Sequence, residues 1–445
     1  MAEMSPGDKL IKIIKLGHLK MAKVMFLIIS AIVCIVIFYA NTNIIGRRSL
    51  FALFLNNRSE PVGGGGFDDH TRIIVENSNP TLPLANAYAS SSTEGNRKAL
   101  AIKSLLIRPP TSKTGALEIF NITGSQTSDY NIFVIYTKEN YQLHVKFELF
   151  AHSLLKFSTP DVLLYLHVLT DEISAHSVDQ MLEKEVRRYR RAIMYTLYNM
   201  RLCAERVVDI VNSMTPYFSS TPKSYYSDSL FFLSLGLHRI ADERMERAVL
   251  LDCDIVFRAD VRLLFAEFER FSKENLFGLA PELTPVYRHI LYRYRANFPN
   301  TDFGSPFYMS PNELYNLVSA ETHTHKMRKS EKHLRHGYPG LNSGVVLLHL
   351  TAIRHSRLYH DQLQETAIRK LTSKYMFKGH LGDQDFFTLL GYEFPNLIYR
   401  LDCVWNRQLC TWWKDHGYSD VFDKYFTCKG RIKMYHGNCN ARVPE

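Results

Sequence analysis

The sequence predicts an α/β domain with a mainly parallel central sheet, set behind an amino-terminal transmembrane helix and a stem. Three observations carry that prediction. Strand-like and helix-like stretches alternate from residue 130 onward, the pattern of parallel sheets. The run AVLLDCDIVF, residues 248–257, has apolar residues on both sides of two carboxylates and reads as a buried strand. Residues 24–40, VMFLIISAIVCIVIFYA, carry no charge at all.

That uncharged run spans about 26 Å as a helix, near the thickness of a thin bilayer. Lys9, Lys12, Lys15, Lys20 and Lys23 precede it against only Glu3 and Asp8. The expected arrangement is a cytoplasmic tail over 1–23, a signal anchor over 24–40 and a lumenal remainder, a single-pass type II protein. Residues 41–129 read as a lumenal stem. They hold the Gly63–Gly66 run, Pro80, Pro83 and a Ser/Thr cluster over 90–93, the composition of a linker. The sequons at Asn57 and Asn121 agree with lumenal placement.

The folded domain is expected over 130–445. Its elements are a strand at 132–136, a helix at 141–152, a strand at 162–169, a helical stretch at 178–211, an apolar helix at 228–240 and the strand holding Asp252 and Asp254. A helix at 261–271 and a short strand at 276–280 follow. Residues 319–337, with His323, His325, His333 and His336, read as a solvated insertion loop, because the histidines are irregularly spaced with no Cys among them. The PGLNSG run at 339–344 predicts a tight turn feeding a strand, where backbone can approach a ligand. The Gly382-Asp383-Gln384-Asp385 run opens a helix.

The totals bound what the chain can be. With 445 residues, 46% of them hydrophobic, it can bury a large core. The net charge of +10 is spread along the chain with no basic patch interleaved with aromatics. That fits an anionic membrane surface or a phosphorylated substrate and argues against nucleic acid. Four of the seven cysteines, Cys403, Cys410, Cys428 and Cys439, crowd at the carboxyl end. No C-x-x-C pair exists, which argues against a zinc ribbon. In an oxidising compartment these four form two disulfides, with three connectivities open. Cys203 and Cys253 are expected as buried thiols.

The chemistry concentrates at Asp252 and Asp254. A strand-end turn is the plain alternative, since a chain this long holds about one D-x-D by chance, and Asp383-Gln384-Asp385 is a second. Flanking apolar strand residues favour the sharper reading. Two carboxylates two apart on an extended chain share a side, and an unpaired buried charge is costly. Such a pair suits Mg²⁺ or Mn²⁺. His436, followed by a glycine at the end of a strand-like run, is a candidate third ligand.

Taken together, Tyr136-Thr137-Lys138 after the first strand, the D-x-D, Asn342-Ser343-Gly344, Asp383-Gln384-Asp385 and a terminal His436-Gly437 resemble the family-8 retaining glycosyltransferases of the GT-A (Rossmann-like) fold. PVYRH (285–289), HLGDQDFF (380–387), LDCVWNRQLCTWWKDHGYSDVF (401–422) and KMYHGNCN (433–440) look like the xylosyltransferases of that family. The likeness covers residues 130–445. Two departures stand out: Cys253, where a different small or aliphatic residue is expected, and the length of the 319–337 loop.

The resemblance implies transfer of xylose from UDP-xylose in α-1,3 linkage, with retention, to the xylose of a xylose-glucose disaccharide O-linked to EGF-like repeats, as on Notch. It implies Mn²⁺, with Mg²⁺ as substitute, held by Asp252, Asp254 and His436. Tyr136, Thr137, Lys138 and Cys253 would line the donor nucleotide, and Leu381, Asp383 and Gln384 the donor sugar, with Gln384 and Asp383 as the catalytic pair. Asn342, Ser343, Gly344, Val345, Trp413 and Asn438 would meet the acceptor. Residence in the endoplasmic reticulum membrane, rather than the Golgi, is implied too, with a homodimer left open. The rivals are a glucoside xylosyltransferase or another UDP-sugar transferase of family 8, and a catalytically dead lumenal glycan-binding protein.

Overall fold

The computed structural model describes residues 100–110, 115–122, 128–219, 229–308 and 335–444. The tail, the expected anchor, Cys34, Asn57, residues 41–99 and all but the end of the 319–337 loop lie outside the described residues.

A nine-stranded sheet, among the described residues, organises the domain in the order β12-β8-β11-β6-β3-β4-β5-β1-β2. Its centre is β6 (Ala248–Leu251), β3 (Asn131–Ile135), β4 (Leu164–Thr170) and β5 (Ile193–Asn199), all parallel. These strands are buried almost throughout, as parallel strands covered on both faces must be. Outside them, β1 (Ala101–Arg108) runs antiparallel to β5, and β2 (Glu118–Asn121) antiparallel to β1. On the other flank β11 (Leu341–Leu348) is antiparallel to both β6 and β8 (Phe277–Pro281), and β12 (Ile398–Arg400) is parallel to β8. The sheet is therefore mixed rather than mainly parallel. Two small sheets complete the strands: β9 (Phe307–Tyr308) with β10 (Arg335–His336), and β7 (Ile255–Phe257), β14 (Met434–His436) and β13 (Arg407–Gln408).

Helix α1 (Tyr141–Phe157) is capped by Asn140, whose side chain accepts from Leu143 N, and buries Leu143, Phe147, Phe150 and Leu154 on one stripe. Helix α2 (Glu172–Tyr189) starts at Asp171, which accepts from Ile173 N and Ser174 N. It stops at Arg190, in the left-handed region at φ 51°.

Four expectations need correcting. The described structure begins at residue 100, and β1 and β2, within the stretch read as stem, belong to the sheet. The helical stretch at 178–211 is α2, then β5, then α3 (Met200–Glu205) and α4 (Val208–Phe218); IMYTLYN mixes residues that fit either period, and burial between two strands decides for β. Residues 248–257 are not one strand: β6 ends at Leu251, Ile255 N donates to Asp252 O at 3.1 Å, and β7 joins a different sheet. Leu341 to Gly344 of the PGLNSG run already belong to β11 rather than to a turn before it, with the register shifting between Asn342 and Val346. The other elements overlap their expected stretches, including α5 (Leu233–Ile240) and α6 (Asp383–Glu393), though the helix expected over 261–271 is a four-residue α-helix, Arg262–Phe265, followed by a 3₁₀ segment over Ala266–Arg270. The four terminal cysteines pair as Cys403–Cys428 and Cys410–Cys439, and Cys203 and Cys253 are buried thiols outside these disulfides.

A candidate metal-dependent active site

The break between β6 and β7 makes the site. Asp252 N donates to Gly344 O at 3.0 Å, which extends the β6–β11 ladder one residue past the strand. The chain then turns, so Asp252 and Asp254 are presented from a turn rather than from an extended strand. The small sheet delivers the third group: β7 pairs antiparallel with β14, placing His436 opposite Ile255. Gly437 N donates to Asp254 O at 2.9 Å, which locks the two segments together.

Asp252, Asp254 and His436 offer ligand atoms that all lie within 4.8 Å of one another. His436 Nε2 is 3.4 Å from Asp252 Oδ2 and 3.4 Å from Asp254 Oδ1. Asp254 and His436 are buried; the Asp252 side chain is 58% exposed. Burial would lower the imidazole pKa, but the two carboxylates outweigh it and hold it up at about 9. Two carboxylate oxygens and an imidazole nitrogen converging on one point fit a divalent cation of the Mn²⁺ or Mg²⁺ class. Lys146 of α1 reaches the other oxygen of Asp254 at 3.1 Å and Asn440 Oδ1 at 2.8 Å. Gly344 is required here: a Cβ on it would stand 2.3 Å from His436 Cε1. The close approach expected at this glycine is to a ligand's side chain.

Behind the trio lies a buried polar network. His436 Nδ1 is 3.0 Å from Asn406 Oδ1, and Asn406 Nδ2 donates to Asn342 Oδ1 at 2.8 Å. Asn342 Nδ2 donates to Glu282 Oε2 at 2.9 Å and to Gln384 Oε1 at 3.0 Å. Gln384 Oε1 also accepts from Ser343 N at 3.3 Å, and its Nε2 faces Glu282 Oε2 and the Tyr287 hydroxyl, each at 3.3 Å. Asn342, expected at the acceptor, is instead 4% exposed and committed to this network.

The carboxylates at the start of α6 are held in different ways. Asp383 accepts from Ser343 Oγ at 3.0 Å and from Ser234 Oγ of α5. Asp385 accepts from Leu381 N at 2.7 Å and from Tyr287 Oη at 3.0 Å. Desolvation pushes both carboxyls up to about 7, with those hydrogen bonds opposing it. Burial also raises Glu282, against donors from Asn342 and Thr284.

On the opposite side, Tyr136 ends the run into the site and is fully buried. Thr137 Oγ1 and Lys138 N both donate to Asp171 Oδ2, at 2.5 and 2.6 Å. Burial would raise the Asp171 carboxyl, but these donors and Ser174 bring it down to about 2. One aspartate thus caps α2 and holds the 137–138 loop, with Lys138 at φ 55°. Cys253 is 7% exposed in the core beside Tyr136 and Val345.

The structure therefore gathers Asp252, Asp254, His436, Asn342, Ser343, Gly344, Asp383 and Gln384. Two expected acceptor groups are otherwise engaged. Trp413 is 7% exposed, with ring centroids of His289 and Tyr418 each 5.2 Å away, which leaves little of its indole for a sugar. Asn438 Oδ1 accepts from Leu409 N and Cys410 N, both at 2.9 Å. The sequence reading missed Asn406, Glu282, Tyr287, Asp171, Ser234 and Lys146. For Asp171 a signal existed, an Asp followed by Glu and Ser at a helix start; the others carry none.

No family model matches the chain. Mouse xyloside xylosyltransferase 1 is 39% identical over 325 residues, covering 71% of this chain and 75% of that protein. The human xyloside xylosyltransferase 1 is 37% identical over 377 residues, covering 83% and 88%. The crystal structure of the mouse protein in its apo form matches with a TM-score of 0.60 at 38% identity, covering 71% of this chain and 99% of that one. A mixed α/β sheet, a clustered carboxylate–histidine trio and relatedness across most of the chain lead to one conclusion: this chain belongs to the xyloside xylosyltransferase family and is a glycosyltransferase.

Proposed function

We propose that the chain transfers xylose from UDP-xylose, with retention and in α-1,3 linkage, to the xylose of a xylose-glucose disaccharide O-linked to EGF-like repeats. The convergence of Asp252, Asp254 and His436 carries this reading, together with the relatedness to xyloside xylosyltransferase 1 of mouse and human. The trio would hold Mn²⁺, or Mg²⁺ in its place; the ion would neutralise charge on the departing diphosphate as a Lewis acid and template. Lys146 adds a cation beside Asp254. Tyr136, Thr137 and Lys138 would bound the uridine, their loop kept in place by Asp171, and Leu381 to Gln384 would bound the donor sugar. In this reading the domain is lumenal, tethered to the endoplasmic reticulum membrane by residues 24–40.

Retention follows from double displacement or from attack on the same face as UDP leaves. Double displacement needs an ionised, accessible carboxylate. Asp383 and Asp385 each accept two hydrogen bonds and have raised pKa values, and an amide such as Gln384 is a poor nucleophile. Same-face attack is the mechanism these constraints favour, with Gln384 bordering the reacting carbon and UDP taking the acceptor proton. Trapping of a xylosylated Asp383 or Asp385, read by mass spectrometry, would overturn it.

The test compares donors and acceptors. UDP-xylose and UDP-glucose are offered with two glycosylated EGF-like repeats, one carrying xylose-glucose and one carrying glucose only. The proposal expects pentose added to the first repeat alone. Pentose added to the glucose-only repeat instead would make the chain a glucoside xylosyltransferase.

A further inference from the structure

His436 presents Nε2 to the two aspartates. That nitrogen has a lone pair for a metal only if the ring proton sits on Nδ1. Nδ1 lies 3.0 Å from Asn406, and an amide can offer either an oxygen or an NH₂ to it. What decides is one step further back. Asn342 Oδ1 accepts from Gly344 N at 3.1 Å, a backbone donor that cannot reverse its role. The NH₂ of Asn342 then points away, giving one hydrogen to Glu282 and one to Gln384. With Asn342 Oδ1 fixed as an acceptor, Asn406 must turn Nδ2 towards it and Oδ1 towards the ring. The ring must then carry its proton on Nδ1.

His436 and Asn342 are each 4% exposed and Asn406 is 0% exposed, so bulk water does not take over any of these bonds. A backbone N–H therefore sets the tautomer of an imidazole through two amides. The same glycine leaves the space that the imidazole fills.

We propose that Asn406 is a positioning residue for the metal centre: it holds His436 in the Nδ1–H tautomer, aims Nε2 at the gap between Asp252 and Asp254, and is itself oriented by Asn342 and Gly344. The proposal rests on the reading of Asp252, Asp254 and His436 as ligands. It deepens that reading, because it makes metal affinity depend on an amide that would touch neither metal nor sugar. It also joins two functions: Asn342 orders the ligand's partner with its oxygen and Gln384 with its NH₂, so metal site and donor site share one anchor.

The experiment measures Mn²⁺ affinity of the full-length protein without any sugar nucleotide, from the electron paramagnetic resonance of free Mn²⁺. Asn406→Ala removes the acceptor from Nδ1 and is expected to weaken affinity by about 10- to 100-fold. Asn406→Asp keeps an acceptor oxygen at Nδ1 but sets a second acceptor against Asn342 Oδ1, and is expected to bind Mn²⁺ more tightly than Asn406→Ala and more weakly than wild type. A folded Asn406→Ala protein with unchanged affinity overturns the proposal. So does a folded Asn406→Asp protein that binds no more tightly than Asn406→Ala; if the alanine variant does not fold, a folded Asn406→Leu protein, close to Asn in volume, with wild-type affinity overturns it instead. Failure of the wild type to bind Mn²⁺ overturns the ligand reading and this proposal together, whereas tight wild-type binding with an indifferent Asn406→Ala overturns the relay alone.

Discussion

Asp385 shows how a residue can look like chemistry in the sequence and act as structure in the fold. It sits in a D-x-D as good as the one at 252–254, yet it is fully buried and accepts from Leu381 N and Tyr287. A Cβ on Gly379 would stand 2.1 Å from its Oδ2, so the chain there has been shaped around it. Its pKa is raised by desolvation to about 7, above the unfolded value, so its stabilising contribution is fully present below about pH 4 and is lost as pH rises to about 7. The loss is about 1.4 kcal/mol for each pH unit in that window. Asp385→Asn should therefore be more stable relative to wild type at pH 8 than at pH 5, in urea unfolding at both values; an equal difference at the two pH values would contradict the assignment. At this scale the sequence was most legible where a carboxylate met a chain break. It was least legible for Asn406, Glu282 and Tyr287, whose partners lie tens of residues away and leave no local pattern.

The elements that build the site are short, and their lengths matter. β6 has four residues and β7 three; a longer β6 would carry Asp254 out along the strand and away from β14. The segment bearing His436 is held at its ends by covalent links. Cys410–Cys439 joins the chain just after β13 to the chain just after β14 at a sequence separation of 29, and Cys403–Cys428 adds a second closure at a separation of 25. Each closure of that length is worth about 3–4 kcal/mol by chain entropy. Replacing Cys410 and Cys439 together by Ser should lower the melting temperature and also weaken Mn²⁺ binding, because Cys439 lies three residues from His436. A lowered melting temperature with full Mn²⁺ affinity in the folded variant would mean that the disulfide does not position the ligand. The existence of helices α1, α2 and α6 and of β3, β4 and β8 was readable from periodicity and caps. β5 was not: its neighbours in sequence are helical, and only the space between β4 and β1 selects a strand.

Across the whole molecule, the parallel centre supplies the Thr137–Lys138 loop after β3 and the D-x-D after β6, both at the carboxyl ends of neighbouring strands, where open α/β sheets bind ligands. The antiparallel flank supplies what the parallel part cannot. β11 runs opposite to β6, so Asn342, Ser343 and Gly344 arrive at that same end from the other direction. The extra strands β1 and β2 close the far edge inside a stretch that composition alone marked as linker; Ser104 of β1 meets Thr196 of β5 at 2.8 Å, a cross-strand polar contact with no local sequence signature. The order of motifs, more than any one of them, carried the functional reading. The account stands most directly on transfer that depends on the metal trio. The decisive measurement is mass spectrometry of an EGF-like repeat bearing xylose-glucose, incubated with UDP-xylose, Mn²⁺ and the enzyme, beside reactions with a chelator and with Asp252→Asn/Asp254→Asn. One added pentose, lost in both controls, is the predicted result; a pentose that persists with the chelator or in the double variant would contradict it.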